Sequence, residues 1–303
     1  MKNRFGRILL PIVTPFYENE EVNYEAFEEL INYLLENNSF DTLVMTGTTG
    51  EFNTLTFNER VKLYETAVKV VGGKKPIIAG TACASTRETI ALTKKAVAIG
   101  INTVMIAAPY YCKPTQEAIK EHYMVIAENC DADIMIYNIP IFTGVNVEPE
   151  TVRSLAKNKK FIGIKDEAGM NPTQITDYYF AVKDVNPNFL LFNGDDPMLM
   201  PTIAQGAVGI VSGSAHIVGR EIRTVFDKYY EGKVEEALEI YRKLFVLFKV
   251  YGINHRTNPI SMLRAAIEMV TRIKIGKPRR PLNGVTEDEK KVLADVLKKS
   301  GLL

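Results

Sequence analysis

The stretch that decides the fold is Phe161-Ile162-Gly163-Ile164-Lys165, which is followed by Asp166-Glu167-Ala168-Gly169. Its hydrophobic part is too short for a helix, and the residues after the lysine are typical of a loop. The stretch therefore predicts a buried strand of a parallel sheet, with a lysine at its end.

Lys165 is the residue of this strand whose side chain can act as a nucleophile. At a buried strand end, the loss of hydration disfavours the ammonium, and a neutral amine can attack a carbonyl to form a Schiff base. Two ordinary alternatives exist: the side chain reaches the surface, or it pairs with Asp166. The rest of the chain has to decide between these interpretations.

Seven other short β-rich runs occur along the chain, and helical patterns follow them. Eight such units within about 220 residues predict an α/β fold of the (β/α)8 TIM-barrel type, whose usual length is roughly 250 residues. An open doubly wound sheet is the rival, but it usually has fewer strands, and no GxGxxG motif follows the first run. The predicted strands are Ile8–Thr14, Thr42–Thr46, Pro76–Gly80, Thr103–Ala107, Asp133–Tyr137, Phe161–Lys165, Phe189–Asn193 and Val208–Ser212.

Helical patterns alone follow from about Glu221 to the end of the chain. The three predicted helices are Glu235–Val250, Pro259–Ile273 and Glu287–Lys299. We therefore expect a TIM-barrel catalytic domain over residues 1–224. A C-terminal helical region, residues 225–303, is expected to pack on it.

Composition excludes several classes of function. The net charge of +1 gives no electrostatic footprint for nucleic acid or for an anionic membrane, and no segment is apolar enough to span a bilayer. Three widely spaced cysteines without a CxxC motif indicate reduced thiols and a cytoplasmic location. The spacing of the three histidines is not that of metal ligands, which argues against a histidine-based metal centre.

The ends of the predicted strands carry a concentrated set of polar residues. In a TIM barrel, the catalytic residues lie at these C-terminal ends. The set consists of Gly47-Thr48-Thr49-Gly50-Glu51 after the second strand, Tyr110 and Tyr111 after the fourth, Tyr137 at the end of the fifth, Lys165 at the end of the sixth and Gly194-Asp195-Asp196 after the seventh.

Tyr137 and Lys165 are expected side by side, because neighbouring strands lie about 4.8 Å apart. A phenol beside an amine can move the protons of Schiff-base chemistry. The Gly-Thr-Thr-Gly turn can offer backbone N–H groups and hydroxyls to a small carboxylate. Each piece alone has an ordinary structural explanation, such as a core aromatic or a helix cap. Five such pieces at the strand ends of one barrel favour an active site.

These residues resemble the motifs of the dihydrodipicolinate synthase / N-acetylneuraminate lyase family of pyruvate-dependent class I aldolases. The resemblance runs from Pro11 to Leu303. Its motifs are Thr14-Pro15-Phe16, Gly47-Thr48-Thr49-Gly50-Glu51, Pro109-Tyr110-Tyr111, Tyr137-Asn138-Ile139-Pro140, Gly163-Ile164-Lys165-Asp166, Gly194-Asp195-Asp196 and Asn258-Pro259-Ile260.

The resemblance implies a TIM barrel in a homotetramer, a dimer of dimers, acting on pyruvate and an aldehyde or keto acid without a metal or organic cofactor. Lys165 resembles the Schiff-base lysine, Tyr137 the acid–base residue and Thr48 the hydroxyl that relays protons. Tyr111 resembles the tyrosine that reaches a neighbouring subunit's site. The positions implied in substrate binding are Thr49 and Gly50 for the carboxylate, Gly194 and Val211 for the pocket wall, and Asp195 or Asp196 for substrate hydroxyls.

One position departs from the synthases of this family. Their motif after the catalytic tyrosine normally carries an arginine that helps to bind aspartate semialdehyde, and this chain has Phe142 there. A phenyl ring cannot replace a bidentate guanidinium. The loss of such a charge-assisted contact typically costs about 1.5–3 kcal/mol.

We therefore expect a lyase that reversibly cleaves a 2-keto-3-deoxy sugar acid into pyruvate and an aldehyde. The alternative is condensation of pyruvate with aspartate semialdehyde, which the synthase-like Gly194-Asp195-Asp196 and Asn258-Pro259-Ile260 motifs favour. A Schiff-base dehydratase is a third option. A catalytically silent keto-acid-binding protein of the same fold also remains open, since a fold does not fix a function.

Overall fold

Eight parallel strands form the sheet of the protein and close into a barrel in chain order. The structure is a computed structural model that describes residues 3–169 and 171–303. The strands are β1 Ile8–Pro11, β2 Thr42–Met45, β3 Ile77–Gly80, β4 Thr103–Ala107, β5 Asp133–Asn138, β6 Phe161–Asp166, β7 Leu190–Asn193 and β8 Gly209–Val211.

Helices follow the strands, as right-handed crossovers between parallel strands require. Within the described residues, no helix has the length and apolar character needed to cross a membrane. The helices are α1 Tyr24–Glu36, α2 Phe57–Val71, α3 Thr86–Ala98, α4 Gln116–Asn129, α5 Pro140–Thr143, α6 Pro149–Ala156, α7 Gln174–Val182, α8 Leu199–Ala204, α9 Ala215–Tyr230, α10 Val234–Val250, α11 Ile260–Thr271 and α12 Glu287–Lys299.

The predicted TIM barrel and its C-terminal helices are confirmed. All eight predicted strands are present, and their ends differ from the prediction by at most three residues. The three C-terminal helices begin and end within two residues of the predicted bounds. The predicted domain boundary at residue 224 stays a prediction, and α9 runs through that position.

One compact unit consists of the described residues up to Gly6 together with Pro76–Val211. It contains β3 to β8, and each of these strands pairs in parallel with the next. The register of β5 and β6 places Tyr137 opposite Lys165. Ile164 and most other apolar residues of these two strands are buried, with Ile162 half-buried, so the strands are largely covered on both faces.

The second compact unit consists of Arg7–Lys75 and Ser212–Leu303. Here β1 pairs in parallel with β2, with Leu10 opposite Leu43. The helix α9 packs on β1 and on α10, while α12 packs on both α10 and α11. The amphipathic pattern that predicts the C-terminal helices is explained by this packing, because each helix buries one apolar face.

Candidate active site

Lys165 lies in β6 with only 4% of its surface exposed. Its Nζ atom lies 2.7 Å from Oε2 of Glu167. The prediction of a buried lysine at this strand end is therefore confirmed. The burial is not purely apolar, however, because a carboxylate stands directly against the amine.

Tyr137 stands beside Lys165 on the neighbouring strand, in direct register with it. The Nζ atom lies 3.9 Å from the centroid of the Tyr137 ring, a cation–π distance. The Tyr137 hydroxyl donates a hydrogen bond of 2.6 Å to the same Oε2 atom of Glu167. We call Lys165, Tyr137 and Glu167 the lysine cluster.

Glu167 is the member of this cluster that the sequence does not predict, because the residues after Lys165 are typical of a loop. The strand in fact continues: β6 includes Asp166, and the Glu167 N–H donates a hydrogen bond of 2.8 Å to the carbonyl of Asn138. Side chains two residues apart in a strand lie on the same face. A period of two from Gly163 through Lys165 to Glu167 was therefore the available signal.

Gly194 lies immediately against the lysine cluster. A Cβ atom at this position would lie 2.5 Å from Cε of Lys165 and 2.8 Å from Cβ of Glu167, closer than real side chains approach. Glycine is thus required by the close approach of other side chains. Val211, the other residue expected in this pocket wall, ends β8 and is buried.

The alternate residues of β5 and β6 form a polar network on the opposite face of the sheet. Asp166 Oδ1 accepts hydrogen bonds from the side-chain amides of Asn138, at 2.8 Å, and Gln174, at 2.9 Å. Tyr178 accepts a hydrogen bond from each of these amides and donates one of 2.6 Å to the carbonyl of Val147. Burial raises the pKa of Asp166 to about 6, against the opposing effect of the two amides. We call Asp166, Asn138, Gln174 and Tyr178 the amide network.

The two aspartates after Gly194 are half-buried in the loop that follows β7. The Asp195 N–H donates a hydrogen bond of 3.1 Å to Oδ1 of Asn193, and the Asn193 amide donates one of 2.7 Å to the Asp195 carbonyl. Asp196 begins a short 3-10 turn that ends at Met198. Both aspartates thus belong to the same unit as the lysine cluster.

Two aromatic residues that were expected to act at the site are exposed in the single chain. Tyr111 is 97% exposed and has a left-handed φ of 71°, which is uncommon for a residue other than glycine. Phe142 lies in α5 and is 39% exposed, next to Ile141, which is 60% exposed. Tyr111 lies in the segment after β4, and Ile141 and Phe142 lie in α5 directly after β5.

The Gly47-Thr48-Thr49-Gly50-Glu51 turn belongs to the second unit, where it follows β2. Thr48 and Thr49 are half-buried. The N–H of Gly50 donates within the turn to the carbonyl of Gly47, at 3.1 Å. A Cβ atom at Gly50 would lie 3.0 Å from the carbonyl oxygen of Ile12, which explains the glycine.

Glu51 fixes this turn through a buried ion pair. Its Oε1 atom lies 2.9 Å from Nη1 of Arg264 on α11, and both side chains are 1% exposed. Arg264 also donates to the carbonyls of Thr14, at 2.6 Å, and Ile275, at 2.7 Å. Burial raises the pKa of Glu51 and lowers that of Arg264 to about 10, while their mutual attraction acts against both effects.

The lysine cluster places an amine and a phenol within hydrogen-bonding distance of the same carboxylate oxygen, with the amine over the phenol ring. Imine formation from a ketone needs a primary amine and a neighbouring group that can donate and accept protons. Among residues 3–169 and 171–303, no group of three or more His, Cys, Asp or Glu side chains is placed to hold a metal ion.

The sequence is similar to enzymes of known activity over almost its whole length. It is 38% identical over 293 residues to a 4-hydroxy-tetrahydrodipicolinate synthase from Oceanobacillus iheyensis, covering 97% of this chain and 96% of the relative. A relative of the same name from Synechococcus sp. is 39% identical over 300 residues, covering 99% and 95% of the two chains.

Solved structures of the same kind superpose closely. The dihydrodipicolinate synthase of Thermotoga maritima matches with a TM-score of 0.92 at 35% identity, covering 99% of this chain and 100% of the other. The enzyme from Cyanidioschyzon merolae with lysine bound matches with a TM-score of 0.93 at 34% identity, over 100% of both chains. The model of the dihydrodipicolinate synthetase family matches residues 4–300. The chain therefore belongs to this family of class I pyruvate-dependent aldolases, and it is a lyase.

Proposed function

We propose that this protein condenses pyruvate with aspartate semialdehyde through a Schiff base on Lys165, as a 4-hydroxy-tetrahydrodipicolinate synthase. The relatives that bear this name support the alternative that the sequence analysis placed second. The observation that carries the proposal is the buried amine of Lys165 beside the Tyr137 ring, with Nζ 3.9 Å from its centroid.

In this proposal the Lys165 amine attacks the C2 carbonyl of pyruvate. The carbonyl oxygen leaves as water, and an iminium remains on the lysine. Loss of a proton from the pyruvate methyl group gives an enamine, whose carbon attacks the carbonyl carbon of the aldehyde, and the alkoxide that forms takes up a proton. The amino group that comes from aspartate semialdehyde then attacks the iminium carbon and displaces the Lys165 amine, which releases the product as a ring. Tyr137 moves protons at the reacting oxygen. Thr48 relays protons, while Thr49 and Gly50 hold the pyruvate carboxylate, as the family resemblance implies.

The remaining roles are proposals of the same kind. Gly194 and Val211 line the pocket behind the lysine, and Asp195 or Asp196 meets polar groups of the second substrate. Tyr111 reaches the site of a neighbouring subunit, so we expect a cytoplasmic homotetramer in which this exposed side chain is covered. Sedimentation of the purified protein tests the assembly; one solved relative is a monomeric dihydrodipicolinate synthase variant, and a monomer here would remove the role of Tyr111.

A 2-keto-3-deoxy sugar acid is the second candidate substrate, because Phe142 occupies the slot where the synthases carry an arginine. A neutral sugar aldehyde does not need a guanidinium partner, whereas the carboxylate of aspartate semialdehyde benefits from one. A side-by-side assay decides between the two. Condensation with aspartate semialdehyde supports the proposal, and cleavage of 2-keto-3-deoxygluconate alone contradicts it.

Trapping with borohydride tests the Schiff base itself. Reduction in the presence of pyruvate is expected to leave a stable adduct on Lys165, located by peptide mass spectrometry. The Lys165→Met variant and a wild-type sample without pyruvate should show no adduct. If wild-type protein forms none, the proposed chemistry is wrong.

A further inference from the structure

Glu167 places one carboxylate oxygen against both reactive groups of the site. Its Oε2 atom lies 2.7 Å from Nζ of Lys165 and 2.6 Å from the hydroxyl of Tyr137. The Glu167 side chain is 25% exposed, so it is largely shielded from water. An oxygen in this position can exchange a proton with the amine and with the phenol.

The position of this oxygen is built into the fold. The Glu167 N–H continues the ladder of β6 on β5, which returns the side chain to the face of Lys165. Lys165 and Glu167 also pack against Gly194, where a Cβ atom would lie 2.5 Å from Cε of Lys165 and 2.8 Å from Cβ of Glu167. The carboxylate is therefore held against the amine by backbone pairing as well as by charge.

We propose that Glu167 is a catalytic acid–base residue that carries a proton from Lys165 to the water released during imine formation. This inference rests on the proposed function, because it requires an imine between Lys165 and pyruvate. Glu167 first takes a proton from the ammonium, which leaves a free amine and a carboxylic acid. The amine then attacks the carbonyl carbon of pyruvate and forms a carbon–nitrogen bond.

The remaining protons balance within the lysine cluster. Tyr137 gives its proton to the new alkoxide and takes one from the nitrogen, which leaves a neutral carbinolamine. Glu167 then protonates the carbinolamine hydroxyl, the carbon–oxygen bond breaks, and water leaves as the nitrogen lone pair forms the iminium. Glu167 is a carboxylate again at the end. One ammonium and one ketone have become one iminium and one water.

A purely structural Glu167 would have the opposite kinetic effect. A carboxylate that only holds the ammonium disfavours the free amine, so its removal would speed the attack on pyruvate. A carboxylate that supplies the proton for dehydration is required for the slow step, so its removal would slow iminium formation. The direction of the change therefore separates the two roles.

The test measures the rate at which borohydride traps the pyruvate adduct on Lys165 in Glu167→Gln, Glu167→Asp and wild-type protein. Glutamine keeps an oxygen that accepts the Tyr137 hydrogen bond but cannot carry the proton. We expect the Gln variant to be about 100-fold slower at neutral pH, the lower end of general acid–base effects. Its deficit should grow as the pH rises, because the variant depends on acid from the solvent. The Asp variant should recover part of the rate.

Glu128→Gln is the matched control, because Glu128 is an exposed glutamate near the C-terminus of α4. This variant should trap the adduct at the wild-type rate. If Glu167→Gln is as fast as wild type or faster, or if its deficit does not change with pH, the inference is wrong. Absence of an adduct in wild-type protein would instead contradict the proposed function, so the two failures are distinguishable.

Discussion

At the scale of single residues, the site depends on how little room surrounds Lys165. Its side chain is bounded by the Tyr137 ring, the Glu167 carboxylate and the backbone of Gly194. An imine lysine must meet a ketone from one direction with its lone pair aligned, and effective positioning contributes several kcal/mol to such reactions. Changes of a single methyl group at these residues are therefore expected to alter the chemistry.

Gly194→Ala tests this confinement. The new Cβ atom would lie 2.5 Å from Cε of Lys165, so the lysine must move. A displacement of about 1 Å can cost 100-fold in rate, and we expect a loss of that order in adduct trapping. Gly252→Ala is the control, because its Cβ atom would meet only ordinary contacts at 3.8 Å. Equal rates in the two variants would contradict the tight packing.

Phe142→Arg tests the departure from the synthases. A guanidinium at this position should pair with the carboxylate of aspartate semialdehyde, a contact of about 1.5–3 kcal/mol. We expect kcat/KM for the semialdehyde to rise about tenfold, the equivalent of about 1.4 kcal/mol. Ile141→Arg adds the same charge one residue earlier and serves as the control. An unchanged or lower value for Phe142→Arg would refute the role assigned to this slot.

At the scale of elements, the ends of β5 and β6 carry different functions on their two faces. One face presents the lysine cluster, and the other holds the amide network that ties both strands to α7. Burial disfavours the charged form of Asp166, which raises its pKa from 3.8 to about 6. The network therefore makes the stability of the strand ends depend on pH.

Asp166→Asn is expected to remove part of that pH dependence. Because the pKa is higher in the folded state, this group stabilises the fold below about pH 4, and that contribution is lost as the pH rises through about 6. Because the pKa is about two higher in the folded state, the free energy of unfolding is about 3 kcal/mol lower at neutral pH than it would be without this shift. Urea unfolding at a series of pH values should show a flatter profile between pH 4 and 6 in the variant, relative to an Asp131→Asn control on an exposed residue. Parallel profiles would show that Asp166 does not contribute.

The sequence predicts the elements better than it predicts how they end. The strand Phe161–Lys165 is predicted correctly, yet β6 extends to Asp166 and its ladder continues to Glu167. Composition indicated a loop there, because acidic residues and glycine are typical of turns. Pairing with the neighbouring strand overrides this local preference, and only the structure places the Glu167 side chain back over Lys165.

At the scale of the whole molecule, alternation of short apolar runs with helices was enough to predict a barrel. Pairs that are remote in sequence were not predictable in the same way. Glu51 and Arg264 are 213 positions apart, and Arg264 lies within a helix whose apolar pattern gives no hint of a buried guanidinium. The spacing of apolar residues along a helix does not indicate which distant charged residue will pair with one of its side chains.

Arg264→Met is expected to destabilise the fold. It removes one partner of a fully buried ion pair and leaves the Glu51 carboxylate without its counter-charge. Such changes typically cost about 3–5 kcal/mol in the free energy of unfolding. Urea unfolding is the measurement, with Arg242→Met on the exposed side of α10 as the control. Equal midpoints in the two variants would mean that the buried pair adds little to stability.

The Lys165–Glu167 contact also bears on how an inactive form of the protein should be made. Replacing the lysine alone leaves an acidic group shielded from water beside a phenol, which favours rearrangement of the surrounding side chains. Exchanging both members for uncharged side chains of similar size keeps the local charge balanced. We therefore expect that double variant to bind an unreacted keto acid while the rest of the site keeps its structure.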